Sequence, residues 1–571
     1  MKKDFSISRV KRNNVEVSLP GGIVINGPRN ATLMEFLHEL PDWEMSGIVG
    51  AVVDGELREL TFPIEKDALI EPLDVSSADG SKIYRRSLTF LLQTAFEELF
   101  PNSSLVIDHS VPSGGYFCKV FGKQPLTNGD VSKLEDHMRS LVKQDLPIIK
   151  EKVSLEDAIG YFSEKNYQDK LRLLKYRQKP YLVLYKLHNH LDYHHGYMVP
   201  SSGFLKVFRI IRIGENFILQ YPRRKTPTRL YKMPEYDKLI DIFQQYGSWL
   251  ESLGIESVGA LNDAINSGSI SEVILVSEAL HENRIAQIAS QIAERQNDIK
   301  VVLISGPSSS GKTTFSKRLA IQLLTYGISP FALEMDNFFV NREDTPLDEN
   351  GNYDFESFAA IDTELLLEKL KRLLNGEEVA LPKFNFNKGI RESGEVVKLK
   401  KKQIIVLEGI HGLNPALLPG FSKKKTFRIY TSCLTQLNLD HFNRISTTDT
   451  RMIRRIVRDA RTRGFSANRT IHMWESVRRG EREYIFPYQE NADEIFNSAL
   501  VYELSALKPM VEPLLRQMPY GTSEYREAKR LLAFLEWFLP VNQNLVPENS
   551  ILREFIGGSN LSDFKLWENQ K

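Results

Sequence analysis

Hydrophobic and polar positions along the first 75 residues predict a small module of short strands around one helix. Residues 15–19, 22–25 and 48–53 are rich in β-branched and apolar side chains, and Gly and Pro turns separate them. Residues 31–37 instead carry apolar side chains at helical spacing. A small mixed α/β module therefore fits residues 1–75.

The next segments differ in their periodicity. Residues 76–222 alternate helical and strand patterns, with strand-like runs at 181–185 and 204–213, which predicts an α+β domain. A polar, Pro-containing break follows at 223–228, and helical periodicity then covers 236–253 and 277–295. We interpret 223–297 as a helical connector.

The C-terminal half has the alternation of a parallel sheet. Strand and helix patterns follow one another from 298 to 500, as a sheet flanked by helices requires. Residues 501–571 are helical up to about position 539 and loop-like beyond it. The predicted fold class is multidomain α/β, with five segments at 1–75, 76–222, 223–297, 298–500 and 501–571.

Composition narrows the class of protein. The 571 residues predict roughly three to five domains. Lys and Arg (74) balance Asp and Glu (73), which argues against a global polyanion-binding surface. The two cysteines, Cys118 and Cys433, are too few for a disulfide framework or a cysteine zinc site. The basic start lacks the apolar stretch of a signal peptide, and no run of roughly 18 apolar residues occurs. We expect a cytoplasmic protein without a membrane span.

One glycine-rich segment identifies a nucleotide site. It fits G-x-x-x-x-G-K-[ST] and lies between a strand-like run at 301–304 and a helical pattern from 314. In such a loop the backbone N–H groups surround phosphates, Lys312 reaches the β- and γ-phosphates, and the Thr313 hydroxyl binds Mg²⁺. The predicted nucleotide-binding residues are Gly306, Pro307, Ser308, Ser309, Ser310, Gly311, Lys312, Thr313 and Thr314.

Two carboxylates follow the next predicted strands. Asp336 ends the strand-like run 330–335, and Glu408 ends the run 404–407. Ligands of open α/β sheets lie at the carboxyl ends of strands. Asp336 is therefore a candidate for accepting or orienting the proton of an acceptor hydroxyl, and Glu408 for holding Mg²⁺. An isolated turn aspartate would be the simpler interpretation of Asp336 without the loop.

A predicted helix at 449–460 carries arginines on one face and apolar residues on the other. Arg451, Arg454, Arg455 and Arg458 follow helical spacing, which predicts one buried face and one face of four guanidinium groups. Guanidinium groups bind phosphate oxygens well. A solvated basic face and a nucleic-acid surface are the alternatives; the glycine-rich loop favours a phosphate clamp.

These motifs together resemble the uridine kinase/phosphoribulokinase group of P-loop kinases. The matching segments are GPSSSGKTT (306–314), MDNFF (335–339), NYDFESFAAID (352–362), LPKFNFNKGIR (381–391), LEGI (407–410) and DTRMIRRIVRDARTRG (449–464). The resemblance implies ATP and Mg²⁺ as cofactors. It also implies Asp336 and Lys312 as catalytic groups, with Arg458 and Arg463 on a mobile lid.

The same resemblance implies an acceptor site. Its candidate residues are Asp336, Phe339, Asp354, Phe384, Arg391 and Arg455, with Glu356 as an alternative to Asp354. The family reads a pyrimidine with Tyr-Asp-Phe and a His. The chain has Phe384-Asn385-Phe386 and Gly389 at those positions, so the acceptor base does not follow from the resemblance.

The N-terminal half resembles a different protein. Residues 15–75 are similar to the TGS module and 76–220 to the editing domain of threonyl-tRNA synthetase, through IVGAVVDGEL (48–57) and VPSSGFLK (199–206). The resemblance implies a β-grasp-like module followed by an α+β editing-like domain. That domain uses an H-x-x-x-H and a C-x-x-x-H pair. Arg86, Phe90, His194 and Met198 stand at those positions, so the resemblance implies neither zinc nor editing chemistry.

The sequence therefore predicts a kinase that phosphorylates the 5′-hydroxyl of a nucleoside, uridine or cytidine first. Another small hydroxyl acceptor, such as a sugar phosphate or a vitamin precursor, requires the same machinery. A regulatory ATPase associated with RNA or tRNA through residues 1–222 is the alternative from another class, although the balanced charge argues against nucleic acid. A homo-oligomer is compatible with the sequence.

Overall fold

The computed structural model describes residues 12–41, 43, 47–112, 114–122, 124–233, 237–349, 351–400 and 402–564. The basic start of the chain, at 1–11, lies outside the described residues. The chain forms two units. One contains residues 1–235, 438–444 and 519–530, and the other contains 236–437, 445–518 and 531–571.

The first module of the N-terminal unit is a five-stranded mixed sheet. Its strands are β1 (Asn14–Ser18), β2 (Val24–Pro28), β3 (Ile48–Val53), β4 (Glu56–Arg58) and β5 (Ala68–Asp74), in the order β2-β1-β5-β3-β4. A helix at Leu33–Leu37 begins with a capping box between Thr32 and Glu35 and buries Leu33 and Phe36. The predicted small α/β module is confirmed.

The rest of this unit has two antiparallel sheets. The strands are β6 (Ser104–Val111), β7 (Gly115–Phe121), β8 (Ile148–Ser154), β9 (Tyr181–Leu187), β10 (His190–Asp192), β11 (Arg209–Ile213) and β12 (Asn216–Gln220). They form the orders β11-β12-β7-β6 and β10-β9-β8. Helices occupy Ala78–Leu99, Asn128–Gln144, Leu155–Glu164 and Gln168–Leu174. The central part of Ala78–Leu99 is buried and belongs to the main core of this unit.

One predicted strand in this region is wrong over half its length. The run 204–213 forms a strand only at Arg209–Ile213, and a 3₁₀ turn covers Ser202–Phe204. The Ser202 hydroxyl donates to the Leu141 carbonyl (2.7 Å) and accepts from the Leu146 amide (2.8 Å). Leu205 and Phe208 are buried in the core. Tertiary contacts therefore override the local preference for a strand.

The second unit begins with three helices, at Asp237–Leu253, Val258–Ser267 and Ile270–Glu294. They confirm the helical patterns predicted at 236–253 and 277–295, the second of which begins earlier than expected. The predicted start at 236 itself lies outside the described residues.

The second unit contains a parallel sheet. Its strands are β13 (Val301–Ser305), β14 (Ser329–Glu334), β17 (Gln403–Glu408), β18 (Thr426–Ser432) and β19 (Glu494–Asn497), in the order β14-β17-β13-β18-β19, and each neighbouring pair is parallel. A hairpin of β15 (Val379–Asn385) and β16 (Ile390–Val397) stands apart from it. The predicted parallel sheet with flanking helices is confirmed, and its strands bring several loops to one edge.

Further helices follow β13 along the chain, and one of them, Ser523–Leu535, begins in the segment 519–530 of the N-terminal unit. They span Lys312–Thr325, Thr363–Leu374, Thr447–Arg463, Ala467–His472, Trp474–Gly480, Glu503–Leu515, Ser523–Leu535 and Arg553–Ile556. We call the first the loop helix, Thr447–Arg463 the arginine helix, and residues 547–562 the tail. Short 3₁₀ or π segments lie at Pro20–Gly22, Met335–Phe338, Arg342–Asp344, Phe358–Ala360, Pro415–Leu417, Lys423–Lys425, Glu481–Ile485, Phe486–Asn491 and Gln543–Leu545. Within the described ranges, no helix is both long and apolar enough to cross a membrane.

Candidate active site

The glycine-rich loop joins the carboxyl end of β13 to the loop helix. Gly306 is required because a Cβ there would lie 1.9 Å from the Thr431 carbonyl oxygen. Ser309 (φ 58°) and Gly311 (φ 82°) both adopt left-handed backbone conformations. Such conformations turn successive N–H groups toward one concave side, which is an anion-binding arrangement.

Several polar groups of this loop lack protein partners. The hydroxyls of Ser309 and Ser310 are buried, and neither makes a hydrogen bond to the described residues. The Lys312 ammonium donates only to the Pro307 carbonyl (3.3 Å) among the described groups. Buried polar atoms are normally paired, so the unpaired hydroxyls fit a site that an external anion completes.

The two predicted metal-binding residues lie together. The Thr313 hydroxyl, in the first turn of the loop helix, donates to Glu408 Oε1 at the end of β17 (3.2 Å). Burial raises the pKa of Glu408 to about 7, against the opposing charge of Lys312 and with help from other carboxylates nearby. A hydroxyl and a carboxylate oxygen are ligands that Mg²⁺ accepts.

Asp336 lies in the turn that follows β14, where the sequence places it. Part of its side chain is exposed, but the protein atoms packed around it desolvate the carboxylate and raise its pKa, while Lys312 and Arg463 act in the opposite direction. Glu356 is a second carboxyl group in the same electrostatic environment: burial raises its pKa, and Arg455, Lys312 and Asp336 all act on it. A raised pKa makes each carboxylate a better proton acceptor than a carboxylate of ordinary pKa.

The predicted exposed arginine face is wrong for three of its four members. Arg451, Arg454 and Arg455 are almost fully buried. Arg451 pairs with Glu481 and donates to the Ser308 carbonyl (2.9 Å), and Arg454 pairs with Glu503. Arg454 also donates to the Ser309 carbonyl (3.4 Å), so Arg451 and Arg454 hold the backbone of the loop, as buried guanidinium groups need partners.

Three arginines of this helix, Arg455, Arg458 and Arg463, pair with one carboxylate that the sequence analysis missed. Asp459 is buried and pairs with Arg455 (3.3 Å), Arg458 (2.9 Å) and Arg463 (3.5 Å). Arg455 also donates to the Ser308 hydroxyl (2.8 Å). The i, i+4 spacing of Asp459 to Arg455 and Arg463 is the signal that could have identified it. The predicted catalytic residues Arg458 and Arg463 therefore share one anchor.

The predicted acceptor residues fall into two groups. Phe339 and Phe384 have ring centroids 5.7 Å apart, and both contact Phe386, which is 58% exposed. Arg391, by contrast, pairs with Asp362 (2.9 Å), the residue that caps the helix at Thr363–Leu374.

Asp354 supports the backbone of the segment that carries Glu356. It is buried, and its carboxylate accepts from the Glu356 amide (3.2 Å). The structure thus connects Glu356 to the charged centre, with Asp354 supporting its backbone.

Comparison with known proteins identifies the domain that holds these groups. Residues 301–505 belong to the Phosphoribulokinase / Uridine kinase family. They form a P-loop kinase domain, and the motif at 306–314, Asp336, Glu408 and the arginine helix all lie within it.

Solved structures also align with the chain. A "Possible Uridine Kinase" from Bacillus stearothermophilus is 18% identical, with 37% of this chain and 98% of that chain covered and a TM-score of 0.26. A D-glycerate 3-kinase from Cryptococcus neoformans is 16% identical, with 48% and 87% covered and a TM-score of 0.19.

In the N-terminal unit, residues at the positions that correspond to the metal ligands of the editing domain lie close together. The rings of Phe90 and His194 lie 5.0 Å apart, and Arg86 donates to the Tyr197 carbonyl (2.6 Å). Burial lowers the pKa of His194 well below its ordinary value. Across the described part of the chain, no group of three or more His, Cys, Asp or Glu side chains has the arrangement of a metal site.

The N-terminal half matches threonine–tRNA ligases. It is 29% identical over 227 residues to the enzyme of Psychrobacter cryohalolentis, covering 39% of this chain and 35% of the ligase. With the Burkholderia lata ligase the identity is 30% over 201 residues, covering 35% and 32%. The match thus spans about a third of the length of these curated relatives.

Proposed function

We propose that the protein is an ATP-dependent kinase that phosphorylates the 5′-hydroxyl of a nucleoside. The observation that carries the proposal is the convergence of Lys312, Asp336 and the Thr313–Glu408 pair at the ends of three adjacent parallel strands. This arrangement provides a phosphate-binding cation, a proton acceptor and metal ligands in one place.

The residues present fit ATP and Mg²⁺. The unpaired hydroxyls of Ser309 and Ser310, the loop N–H groups and Lys312 suit the phosphates of the nucleotide. Thr313 and Glu408 would hold Mg²⁺, which when bound neutralises charge on the β- and γ-phosphates.

The transfer then assigns a role to each side chain. The acceptor oxygen bonds to the γ-phosphorus as the bond from that phosphorus to the β,γ-bridging oxygen breaks, which leaves ADP. Asp336 takes the proton of the acceptor hydroxyl, and its raised pKa favours this step. Lys312 and the arginines held by Asp459 stabilise the charge on the phosphoryl oxygens.

The ring cluster favours a planar acceptor. Phe339, Phe384 and the exposed Phe386 offer aromatic faces on which a nucleobase can stack. These contacts support a nucleoside, or a vitamin precursor with an aromatic ring, over a sugar phosphate.

A panel of acceptors with γ-labelled ATP tests the proposal. Uridine, cytidine, purine nucleosides, an aromatic vitamin precursor and a sugar phosphate are each incubated with the full chain. We expect labelled nucleoside monophosphate from the wild type and none from Lys312→Ala. If no nucleoside is labelled above the level of the Lys312→Ala protein, the acceptor assignment is wrong.

A second candidate, a tRNA-associated regulatory ATPase, is supported by the similarity of the N-terminal half to threonine–tRNA ligases. Titration of the full chain with labelled tRNA at low and at physiological salt tests it, because phosphate contacts weaken as salt rises. Salt-dependent binding that also changes the rate of ATP hydrolysis would support this candidate; the absence of binding at low salt would exclude it.

A further inference from the structure

The tail carries a buried motif that the kinase chemistry does not use. Ser550, Ile551, Leu552 and Phe555 have no exposed surface, although they lie near the end of the chain in a loop-rich segment. The tail helix, Arg553–Ile556, is only one turn long. Burial of so short a segment requires specific packing partners, and these include the arginine helix and the first turn of the loop helix.

Glu554 contacts the loop helix directly. Its Oε2 accepts a hydrogen bond from the Thr314 backbone amide (3.3 Å) and another from the Thr314 hydroxyl (3.0 Å). Ile551 packs on the loop as well, since a Cβ on Gly311 would lie 2.5 Å from its Cγ2. Thr314 lies in the first helical turn, where the free N–H groups of such a loop bind phosphate.

The tail is held in this position by side chains from the active-site elements. Arg461 of the arginine helix donates to the carbonyls of Glu554 (2.9 Å) and Phe555 (3.1 Å). Lys317 of the loop helix donates to the Leu561 carbonyl (2.6 Å), and the Arg454 guanidinium lies 5.0 Å from the centre of the Phe555 ring. The same helix that carries Arg458 and Arg463 therefore fastens the tail.

A carboxylate at a helix N-terminus also has a simpler explanation, which is capping. Two features separate Glu554 from an ordinary cap. It comes from 240 residues away rather than from the preceding turn, and it arrives together with Ile551, which packs against Gly311 of the phosphate-binding loop. A negative charge at that point opposes the binding of a polyphosphate.

We propose that Glu554 competes with a phosphate group of the nucleotide for the Thr314 amide and hydroxyl, so that the tail is an autoinhibitory latch on the loop. The inference rests on the proposed function, since it requires that the loop binds a nucleotide. Nucleotide binding then requires that Glu554 leaves Thr314, and the energy of that displacement weakens the observed affinity.

Calorimetric titration of the full chain with a non-hydrolysable ATP analogue and Mg²⁺ tests the latch. Glu554→Gln keeps the shape but removes the charge, and Glu554→Ala removes both. The matched control is Glu548→Gln, because Glu548 is an exposed carboxylate on the same tail. We expect the Glu554 variants to bind the analogue about 10- to 100-fold more tightly than the wild type, as loss of a charge-assisted hydrogen bond predicts. The Glu548→Gln protein should match the wild type.

Adenosine distinguishes competition for phosphate from a general loosening of the site. Its affinity should be the same for the wild type and Glu554→Gln, because it carries no phosphate. Equal or weaker binding of the ATP analogue by both Glu554 variants, with binding still abolished by Lys312→Ala, would make Glu554 a helix cap and leave the kinase proposal intact. Failure of every protein to bind the analogue would overturn both proposals.

Hydrogen exchange provides a second measurement that does not depend on a variant. Addition of the ATP analogue to the wild-type protein should increase amide exchange in residues 550–558, as the tail leaves the loop. Increased protection of this segment on nucleotide binding would overturn the latch.

Discussion

At the scale of single residues, Asp336 is the group on which the proposed transfer depends most. The charges of Lys312 and Arg463 act on its carboxylate, and its raised pKa suits proton acceptance. We expect Asp336→Asn to reduce kcat by about 10²- to 10⁴-fold while nucleotide affinity stays within a few fold, since the amide cannot accept the proton. Steady-state kinetics and calorimetry measure the two quantities. An Asn variant with wild-type turnover would remove Asp336 from the mechanism.

The titration of Glu408 makes the free energy of unfolding depend on pH. Its pKa is about 7 in the fold, against an ordinary value of 4.5, so protonation of Glu408 stabilises the nucleotide-free protein. That stabilisation is complete below pH 4.5 and is lost as the pH rises through 7. Glu408→Gln lacks this titration, so its free energy of unfolding should rise relative to the wild type by roughly 3 kcal/mol between pH 5 and pH 8. Denaturant unfolding at several pH values measures it; a difference that does not vary with pH would contradict the assignment.

At the scale of elements, the arginine helix stabilises the fold through buried ion pairs and, in the proposed mechanism, also places Arg463 at the transferred phosphate. Substitutions can separate these two functions. Arg454 is buried against Glu503 and also donates to the Ser498 carbonyl (2.8 Å), whereas about half of the Arg463 side chain is exposed. We expect Arg454→Met to lower the free energy of unfolding by about 3–5 kcal/mol, because Glu503 stays buried without its ion pair. Arg463→Met should cost less than about 1 kcal/mol but reduce kcat about 10²-fold. Equal stability of the two variants would show that Arg454 does not anchor the loop.

The same elements show how far sequence reasoning extends. β13, the loop helix, β14 and β17 follow from apolar runs and glycine spacing because those signals are local. The burial of the arginine face does not follow, since its partners Glu481 and Glu503 lie 30 and 49 residues away. Helical periodicity identifies a polar face, but it contains no information on which distant carboxylates neutralise it. Glu554 was missed for the same reason, because nothing near Thr314 indicates a partner 240 residues along the chain.

At the scale of the whole molecule, the chain does not divide into domains at simple cut points. Residues 438–444 and 519–530 belong to the N-terminal unit although they lie beyond position 300 of the sequence. Phe442 is part of the main core of that unit. The division into five segments at fixed positions therefore stays a prediction. A fragment that ends at 222 would lack the residues of 438–444, such as Phe442, that complete its core.

The ion pairs of Lys170 show how residues 438–444 contribute to the N-terminal unit. Lys170 is almost fully buried and pairs with Asp192 (2.9 Å). It also pairs with Asp440 (3.3 Å) of residues 438–444, which we call the returning segment. Burial opposes its charge, but the two carboxylates outweigh that effect and raise the pKa of Lys170. Lys170→Met leaves both carboxylates buried without a cation, so we expect the N-terminal unit to lose about 3–5 kcal/mol of stability.

Hydrogen exchange of the full chain measures the loss of stability segment by segment. Amides of the helix at Gln168–Leu174 and of β9 should exchange faster in Lys170→Met, in proportion to the lower free energy of opening. Lys165→Met, at an exposed position five residues earlier, is the matched control and should leave exchange unchanged. If residues 438–444 complete this unit, their amides must lose protection together with β9, because removal of one cation affects both segments. Faster exchange confined to Gln168–Leu174 would mean that the returning segment is held by its other contacts and that Asp440 contributes little.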